Sequence, residues 1–433
     1  MKEAKASTKQ NNLIKLIRGI FIKEKVKTQG RQKNLIYFKN NPEIDFWLQC
    51  YALGYQVYGG STIGEVFYAA SKIQPNKPET WTKEFRGIAE KVESQAMESL
   101  MNGHEKSARD AFLRAVTYYR CASLSLSYKD PSFRETYSKM KECFINAAKL
   151  FNPVIEIIEM PYEGKKLPAY FMKPAGNINS KNPTLIMIGG GETFVEDLYF
   201  WGGAAGISRN YNVLLIDFPG QGATAFNGLH YRHDTEVVMK IVVDYLLERP
   251  DVDPKKIVTY GVSLGGYIIT RAVAYEKRIK ACAAACPLVD WHQYMEDFMP
   301  EPFKSNPGLL MGAANVLAKF INPLEAIAVE KFFIWQVGVN SYKESMDSFK
   351  PWKVDVSMIE CPMLCIVGEG ENGSFKKQTK LCYDGLRGKK KLRVMTVEEG
   401  ADAHCQANNL PLAHREVFDF FDEIMNDLNV QKL

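Results

Sequence analysis

The stretch Tyr260-Gly261-Val262-Ser263-Leu264-Gly265-Gly266-Tyr267 decides the reading of this 433-residue chain. Ahead of it, Lys255-Lys256-Ile257-Val258-Thr259-Tyr260 has the β-branched, apolar content of a short strand. Behind it, Gly266 to Tyr275 (GYIITRAVAY) runs on as a helix. A serine flanked two residues away by glycines, at a sharp strand-to-helix turn, projects its hydroxyl from the end of a sheet. The glycines let neighbouring backbone approach, and the Leu264 amide at the helix start points toward any negative oxygen formed above the serine. The five-residue pattern alone arises often by chance; its weight comes from the strand before it and the helix after it.

A serine hydroxyl is a weak nucleophile and needs a neighbouring base. Among the six histidines, His404 has the fitting place, in Glu398-Glu399-Gly400-Ala401-Asp402-Ala403-His404, between an apolar run at 392–397 and the last helix. His104 falls in a helical region, His230 and His233 follow an earlier strand, His292 begins an irregular stretch, and His414 sits on the final helix as a structural residue. The acid that orients the imidazole belongs after the preceding strand, 363–367, where Gly368-Glu369-Gly370-Glu371-Asn372-Gly373 offers two glutamates and no aspartate. Glu371 is preferred and Glu369 is the alternative; Asp402 is a third route to orienting the ring. The second oxyanion donor, beside Leu264, is expected from the bare backbone of the glycine loop, Gly190 or Gly191 in Ile188-Gly189-Gly190-Gly191-Glu192. A nucleotide site is disfavoured there, because neither GxGxxG nor a Walker lysine follows.

Working outward, short apolar runs at 184–188, 213–216, 257–260, 279–285, 363–367 and 392–397 alternate with helical segments near 234–248, 266–277, 375–386 and 410–428. That alternation predicts an α/β fold with a mostly parallel sheet covered by helices on both faces, its site at the carboxyl ends of the strands. A hairpin is expected around Tyr162-Glu163-Gly164. Residues 291–358 carry Met, Phe, Trp and Pro without a strand pattern, and read as a helical insertion lying over the site. Residues 1–150 have the three-and-four spacing of amphipathic helices at 81–100, 108–126 and 133–150, with Asp130 as N-cap and Pro131 as first helical residue. The expected division is therefore a helical accessory domain over 1–150 and a catalytic domain over 151–433.

Composition agrees with a globular enzyme: 46% hydrophobic and 24% charged, with 55 basic against 50 acidic residues. A net charge of +5 is too mild to suggest nucleic acid. Nine cysteines include the pairs Cys282/Cys286 and Cys361/Cys365, whose spacing permits a zinc reading. No finger-spaced partners accompany them, so buried thiols, no metal and no cofactor are expected. The basic amphipathic run at 13–27 is expected to dock as a helix, and neither a signal peptide nor a membrane span is legible. A cytoplasmic location is the default, and a homodimer is left open.

The runs IGGGET and EDLYF (188–200), DFPGQG (217–222), YGVSLGGY (260–267) and GADAHCQ (400–406) together resemble a branch of the α/β-hydrolase family. That branch includes bacterial dihydroxypseudooxynicotine hydrolase, the fermentation–respiration switch protein and fungal hydrolases that shorten polyketide pigment precursors. The likeness reaches upstream to Gly103-His104, Ser107-Ala108-Arg109 and Tyr118-Tyr119-Arg120, so it spans the chain from about residue 55. It implies that the N-terminal helices and the insertion close over the sheet as a lid. It also maps a family triad onto Ser263, the acid after Gly368, and His404, although several members carry aspartate as the acid. Known members cut carbon–carbon bonds beside a ketone. The resemblance therefore implies an acyl-enzyme hydrolase acting on an ester or a carbon–carbon bond of an aromatic or polyketide-like small molecule. An acyltransferase using the same acyl-enzyme and a catalytically idle binding partner are the rival readings; no HExxH supports a metallohydrolase.

Overall fold

The computed structural model describes residues 37–38, 41–176, 181–297 and 307–430. The helix expected over 13–27 lies outside them. Eight strands form one sheet in the order β1-β2-β4-β3-β5-β6-β7-β8. They are β1 (Glu156–Tyr162), β2 (Lys165–Met172), β3 (Asn182–Ile188), β4 (Asn212–Ile216), β5 (Val252–Val262), β6 (Ala281–Ala285), β7 (Met363–Gly368) and β8 (Lys390–Met395). The expected hairpin is β1–β2, and its two turn residues, Glu163 and Gly164, both have positive φ, 48° and 73°. That is the turn whose twist matches the strands it joins. β2 also runs antiparallel to β4, whereas every pairing from β4 to β8 is parallel.

Strands β4, β6 and β7 are buried along their whole length, as continuous apolar runs require when both faces are covered. The edge strand β8 is partly exposed and carries Lys390, Lys391 and Arg393, charges that discourage another chain from pairing with it. Helices Thr235–Leu247, Leu264–Tyr275, Gly373–Gly385 and Leu410–Val430 alternate with the strands, each within a few residues of its expected bounds.

Upstream, helices Pro78–Met101, Glu105–Leu124 and Pro131–Lys149 answer the three periodic segments. Asp130 caps the last of them by accepting from the Ser132 amide, with Pro131 at the first helical position. Before them lies a segment that periodicity did not locate. The helix Pro42–Leu48 passes into a π-turn, Gln49–Leu53, and then a 3₁₀ turn, Gly54–Tyr58. Two changes of helical pitch within seventeen residues erase the 3.6-residue signature. Residues 291–358 contain the helices Trp291–Glu296, Pro307–Ile321, Pro323–Glu330 and Tyr342–Ser348 with a π-turn at Lys331–Gln336. No strand lies among the described residues there; only an isolated bridge, Asp290 to Lys353, touches β geometry.

Candidate active site

Ser263 stands between β5 and the helix Leu264–Tyr275 at φ 55°, ψ −120°, a conformation that an L-residue adopts at a cost of about 1–3 kcal/mol. The turn holds because its backbone is tied on both sides. The Ser263 amide donates to the Ala285 carbonyl at 3.0 Å, and the Ser263 carbonyl accepts from the Gly266 amide at 2.8 Å. The flanking glycines are required sterically. A Cβ on Gly261 would fall on the Gly265 carbonyl, and one on Gly265 would lie 2.5 Å from the carbonyl oxygens of both Ile188 and Gly189. Because those atoms are backbone, Gly265→Ala is expected to cost roughly 1–3 kcal/mol, seen as a melting temperature lowered by several degrees. A variant that melts with the parent would contradict this account of the turn.

Three further loops meet at the serine. His404 opens the turn after β8, and its Nε2 lies 2.9 Å from Ser263 Oγ while Nδ1 lies 2.7 Å from Glu371 Oε1. Of the two candidate glutamates, Glu371 therefore meets the ring. Glu369 instead accepts from the Val397 amide at 3.0 Å through its own carboxylate. Asp402 is buried beneath the acid loop: its carbonyl accepts from the Gly370 amide at 3.0 Å, and its side chain accepts from Asn408 at 3.1 Å. Gly368 and Gly370 both press against Asp402, so the loops after β7 and β8 interlock and set the distance from Glu371 to His404. On the other side, a Cβ built on Gly190 would stand 3.2 Å from that of Ser263, which places the glycine loop against the serine. Neither the Gly191 nor the Leu264 amide has a backbone acceptor among the described residues.

Burial disfavours charge on His404, but the adjacent Glu371 carboxylate outweighs it and raises the ring above the ordinary histidine range. Cys286, just past β6 at φ 60°, donates its thiol to the same Glu371 oxygen at 2.8 Å. Burial, the neighbouring Cys405 thiol and Glu371 push Cys286 well above the usual thiol range, so it stays a neutral donor. The cysteine pairs singled out by spacing do not converge as pairs. Cys365 instead approaches Cys382, Sγ to Sγ 4.0 Å, and the cluster that could hold a cation among the described residues is Cys286, His404 and Cys405.

The other histidines stand apart from this cluster. His414 is buried; its Nε2 donates to the Trp201 carbonyl at 2.8 Å, which leaves Nδ1 to accept from Tyr58 at 2.6 Å. Burial lowers it to about 4, which keeps it neutral and structural. His292 faces Glu296 at 3.6 Å, and His230 packs against Gly338.

Ser263 and His404 face a cavity of about 490 Å³, a volume suited to a small organic molecule. Its floor is Gly190, Gly191, Ser263, Leu264 and His404. One wall is Phe46 and Trp47 from the helix Pro42–Leu48 with Cys50 and Tyr51 from the π-turn that follows it; the other is Trp291, Tyr294, Met295, Met311, Phe332 and Phe333 from the 291–358 segment. Sequence reasoning named neither wall residue by residue. Arg120, read in the sequence only as part of the Tyr118-Tyr119-Arg120 likeness and given no role there, reaches from the helix Glu105–Leu124 to Asp197 at 2.7 Å and donates to the Glu192 carbonyl beside the glycine loop. The available hint was an arginine on the apolar face of that helix, among the buried residues Val116, Tyr119 and Ser123.

Comparison with known proteins places this geometry in context. A family model described as esterase FrsA-like matches residues 75–312. Hydrolase ORFZ of Pyricularia oryzae is 29% identical over 403 residues, an alignment covering 86% of this chain and 95% of that one. The 20-hydroxy-prefusarin hydrolase FUS2 of Gibberella moniliformis is 28% identical over 398 residues, covering 86% and 94%. Among solved structures, 2,6-dihydroxy-pseudo-oxynicotine hydrolase superposes with a TM-score of 0.67 at 21% identity, over 86% of this chain and 95% of its own. That likeness is one of fold. No helix among the described residues is long and apolar enough to cross a membrane.

Proposed function

The chain belongs to the esterase FrsA-like family and has the α/β-hydrolase fold, and from that premise we propose that it works through a Ser263–His404–Glu371 triad and an acyl-enzyme. The observation that carries this reading is the hydrogen-bonded relay, 2.9 Å from serine to imidazole and 2.7 Å from imidazole to carboxylate, at the floor of an aromatic-walled cavity. In this reading the described residues up to 150 and those of the 291–358 segment form the cover over the catalytic unit that begins at 151.

His404 takes the Ser263 proton as Oγ attacks a substrate carbonyl, and the tetrahedral oxyanion is held by the amides of Leu264 and of Gly190 or Gly191. Collapse breaks either the carbon–oxygen bond of an ester or the carbon–carbon bond of a β-dicarbonyl. In the second case the electron pair leaves as an enolate, which the His404 imidazolium protonates to a ketone. Water, deprotonated by His404, then releases the acyl group as a carboxylic acid and restores the serine. The similarity to 20-hydroxy-prefusarin hydrolase, the resemblance of the sequence motifs to polyketide-shortening hydrolases and the ring-lined walls favour an aromatic or polyketide-like substrate; ring stacking is worth about 0.5–1.5 kcal/mol per pair. The test is product analysis with an aromatic 1,3-diketone and an aryl ester, each with and without an added alcohol or amine. Carboxylic acid as the sole acyl product supports hydrolysis. Acyl capture by the added acceptor would instead establish the transferase.

The charge on Glu371 gives this reading a pH signature. The base must be neutral to act, so activity rises as pH passes through the His404 pKa. Because Glu371 raises that pKa, the midpoint for kcat/KM is expected above the ordinary value of about 6.5. Glu371→Gln removes the charge and should move the midpoint down by about one unit or more, while lowering the plateau roughly 100- to 10,000-fold. An unmoved midpoint would remove Glu371 from the relay.

A further inference from the structure

Four consecutive peptide carbonyls in the glycine loop after β3 are each held by a side-chain donor. Gln221 Nε2 donates to the Gly189 carbonyl at 2.6 Å and to the Gly190 carbonyl at 3.2 Å, where Thr193 Oγ1 also donates at 3.0 Å. The Gly191 carbonyl accepts from Tyr231 at 2.8 Å and from Gln336 Nε2 at 2.6 Å. The Glu192 carbonyl accepts from Arg120. In a trans peptide the carbonyl of one residue and the N–H of the next point in opposite directions. Pinning carbonyls 189 to 192 therefore fixes the directions of the N–H groups of residues 190 to 193. A glycine loop left untied has little steric preference between the two orientations of each peptide, and a flipped peptide would turn a carbonyl lone pair toward the oxyanion.

Gln336 differs from the other donors in its origin. It belongs to the π-turn Lys331–Gln336 of the 291–358 segment, the same turn that supplies Phe332 and Phe333 to the cavity wall. Its carboxamide is buried and bridges two loops, donating to the Gly191 carbonyl and to the Gly220 carbonyl at 3.0 Å. Two carbonyl acceptors leave no doubt which end of the amide is the NH₂. Its own backbone carbonyl accepts from the Tyr231 amide at 3.0 Å, so the two side chains that hold Gly191 are themselves locked together.

We propose that Gln336, acting with Tyr231 on the Gly191 carbonyl, is a positioning residue for the oxyanion hole, so that the covering segment completes the catalytic device as well as enclosing the substrate. The proposal rests on the serine mechanism above. Docking of the segment holds Gly191 from its carbonyl side, while Gln221 and Thr193 on the Gly190 carbonyl set the direction of the Gly191 N–H, so the two sets of bonds together fix the residue that offers its amide to the oxyanion; a substrate too large to let the turn seat would be bound without being turned over efficiently.

The test uses the full-length protein, a fluorophosphonate as probe, and the variants Gln336→Glu, Gln336→Leu and Tyr231→Phe. The probe's phosphoryl oxygen develops negative charge in the same place as a substrate oxyanion, so its reaction rate reads the hole directly. Both Gln336 variants are expected to modify Ser263 about 10- to 100-fold more slowly than the parent. Direct loss of a donor costs about 100- to 1,000-fold, and misorientation should cost less. Tyr231→Phe should slow the reaction by a smaller factor, and the double variant with Gln336→Leu should show less than the product of the two effects, since both act on one carbonyl. The pH midpoint of the labelling rate should remain that of the parent, because His404 and Glu371 are untouched; a general loosening of the site would shift it. Parent-like labelling rates in both Gln336 variants, or a rate loss that comes with a displaced midpoint, would overturn the proposal. A parent protein that is not labelled at Ser263 at all would instead remove the serine mechanism beneath it.

Discussion

Ser263→Ala is expected to lower single-turnover hydrolysis by about 10,000- to 1,000,000-fold, the range seen when a serine nucleophile is removed from an otherwise intact triad. The loss is expected to be large because alanine has no hydroxyl with which to form the acyl-enzyme, leaving the oxyanion donors and the cavity only to position water. The fold should be nearly indifferent. Alanine carries the same Cβ as serine, so the positive φ at position 263 should strain it no more, and the hydrogen bonds that hold the turn use the backbone of residue 263. A melting temperature within about two degrees of the parent, together with the activity loss, separates chemistry from folding. His404→Ala should cost a similar factor, and the two losses should not multiply, because each disables the same step.

The second large effect is on stability. Arg120→Met is expected to destabilise the protein by about 3–5 kcal/mol, because it leaves a buried charge without its partner. Arg120 and Asp197 are 2% and 0% exposed and lie 2.7 Å apart. The guanidinium also stacks over Tyr51, 4.4 Å from the ring centroid, and bonds the Glu192 carbonyl. One side chain thus ties the N-terminal helices, the irregular turn that walls the cavity, and the loop beneath the oxyanion hole. Burial already raises the Asp197 carboxyl against the opposing pull of Arg120; without the arginine the carboxyl should rise further and take up a proton. The double variant Arg120→Met with Asp197→Leu should recover part of the loss, as replacement of a buried pair by apolar groups does in other proteins. Denaturant titration checks both, and a single variant as stable as the parent would contradict the clamp.

What could be read from the sequence was whatever chemistry writes locally. The serine turn is spelled within six residues, and the loops of His404 and Glu371 follow recognisable strands, so each was placed without coordinates. The preference for Glu371 over Glu369 also rested on local spacing, and the interlock of Gly368 and Gly370 with Asp402 is its physical basis. Features that depend on distant contacts left weaker traces. Residues 42–58 wall the cavity, yet their π and 3₁₀ turns dissolve the periodicity that marks a helix. Cys286 was legible only as one member of a spaced cysteine pair. The chain turns immediately after β6, however, and directs its thiol to Glu371. Gln336 lay in a segment whose composition announced a cover, but nothing local joined it to Gly191 across more than a hundred residues.

The central claim is that Ser263 is an activated nucleophile. It is tested most directly by treating the intact protein with a fluorophosphonate, measuring the mass gained, and mapping the modified residue by peptide mass spectrometry. The account predicts one phosphonyl group per chain, on Ser263, and none on Ser263→Ala or at comparable rate on His404→Ala. An unmodified Ser263 in a folded protein, or modification at another residue, would contradict it.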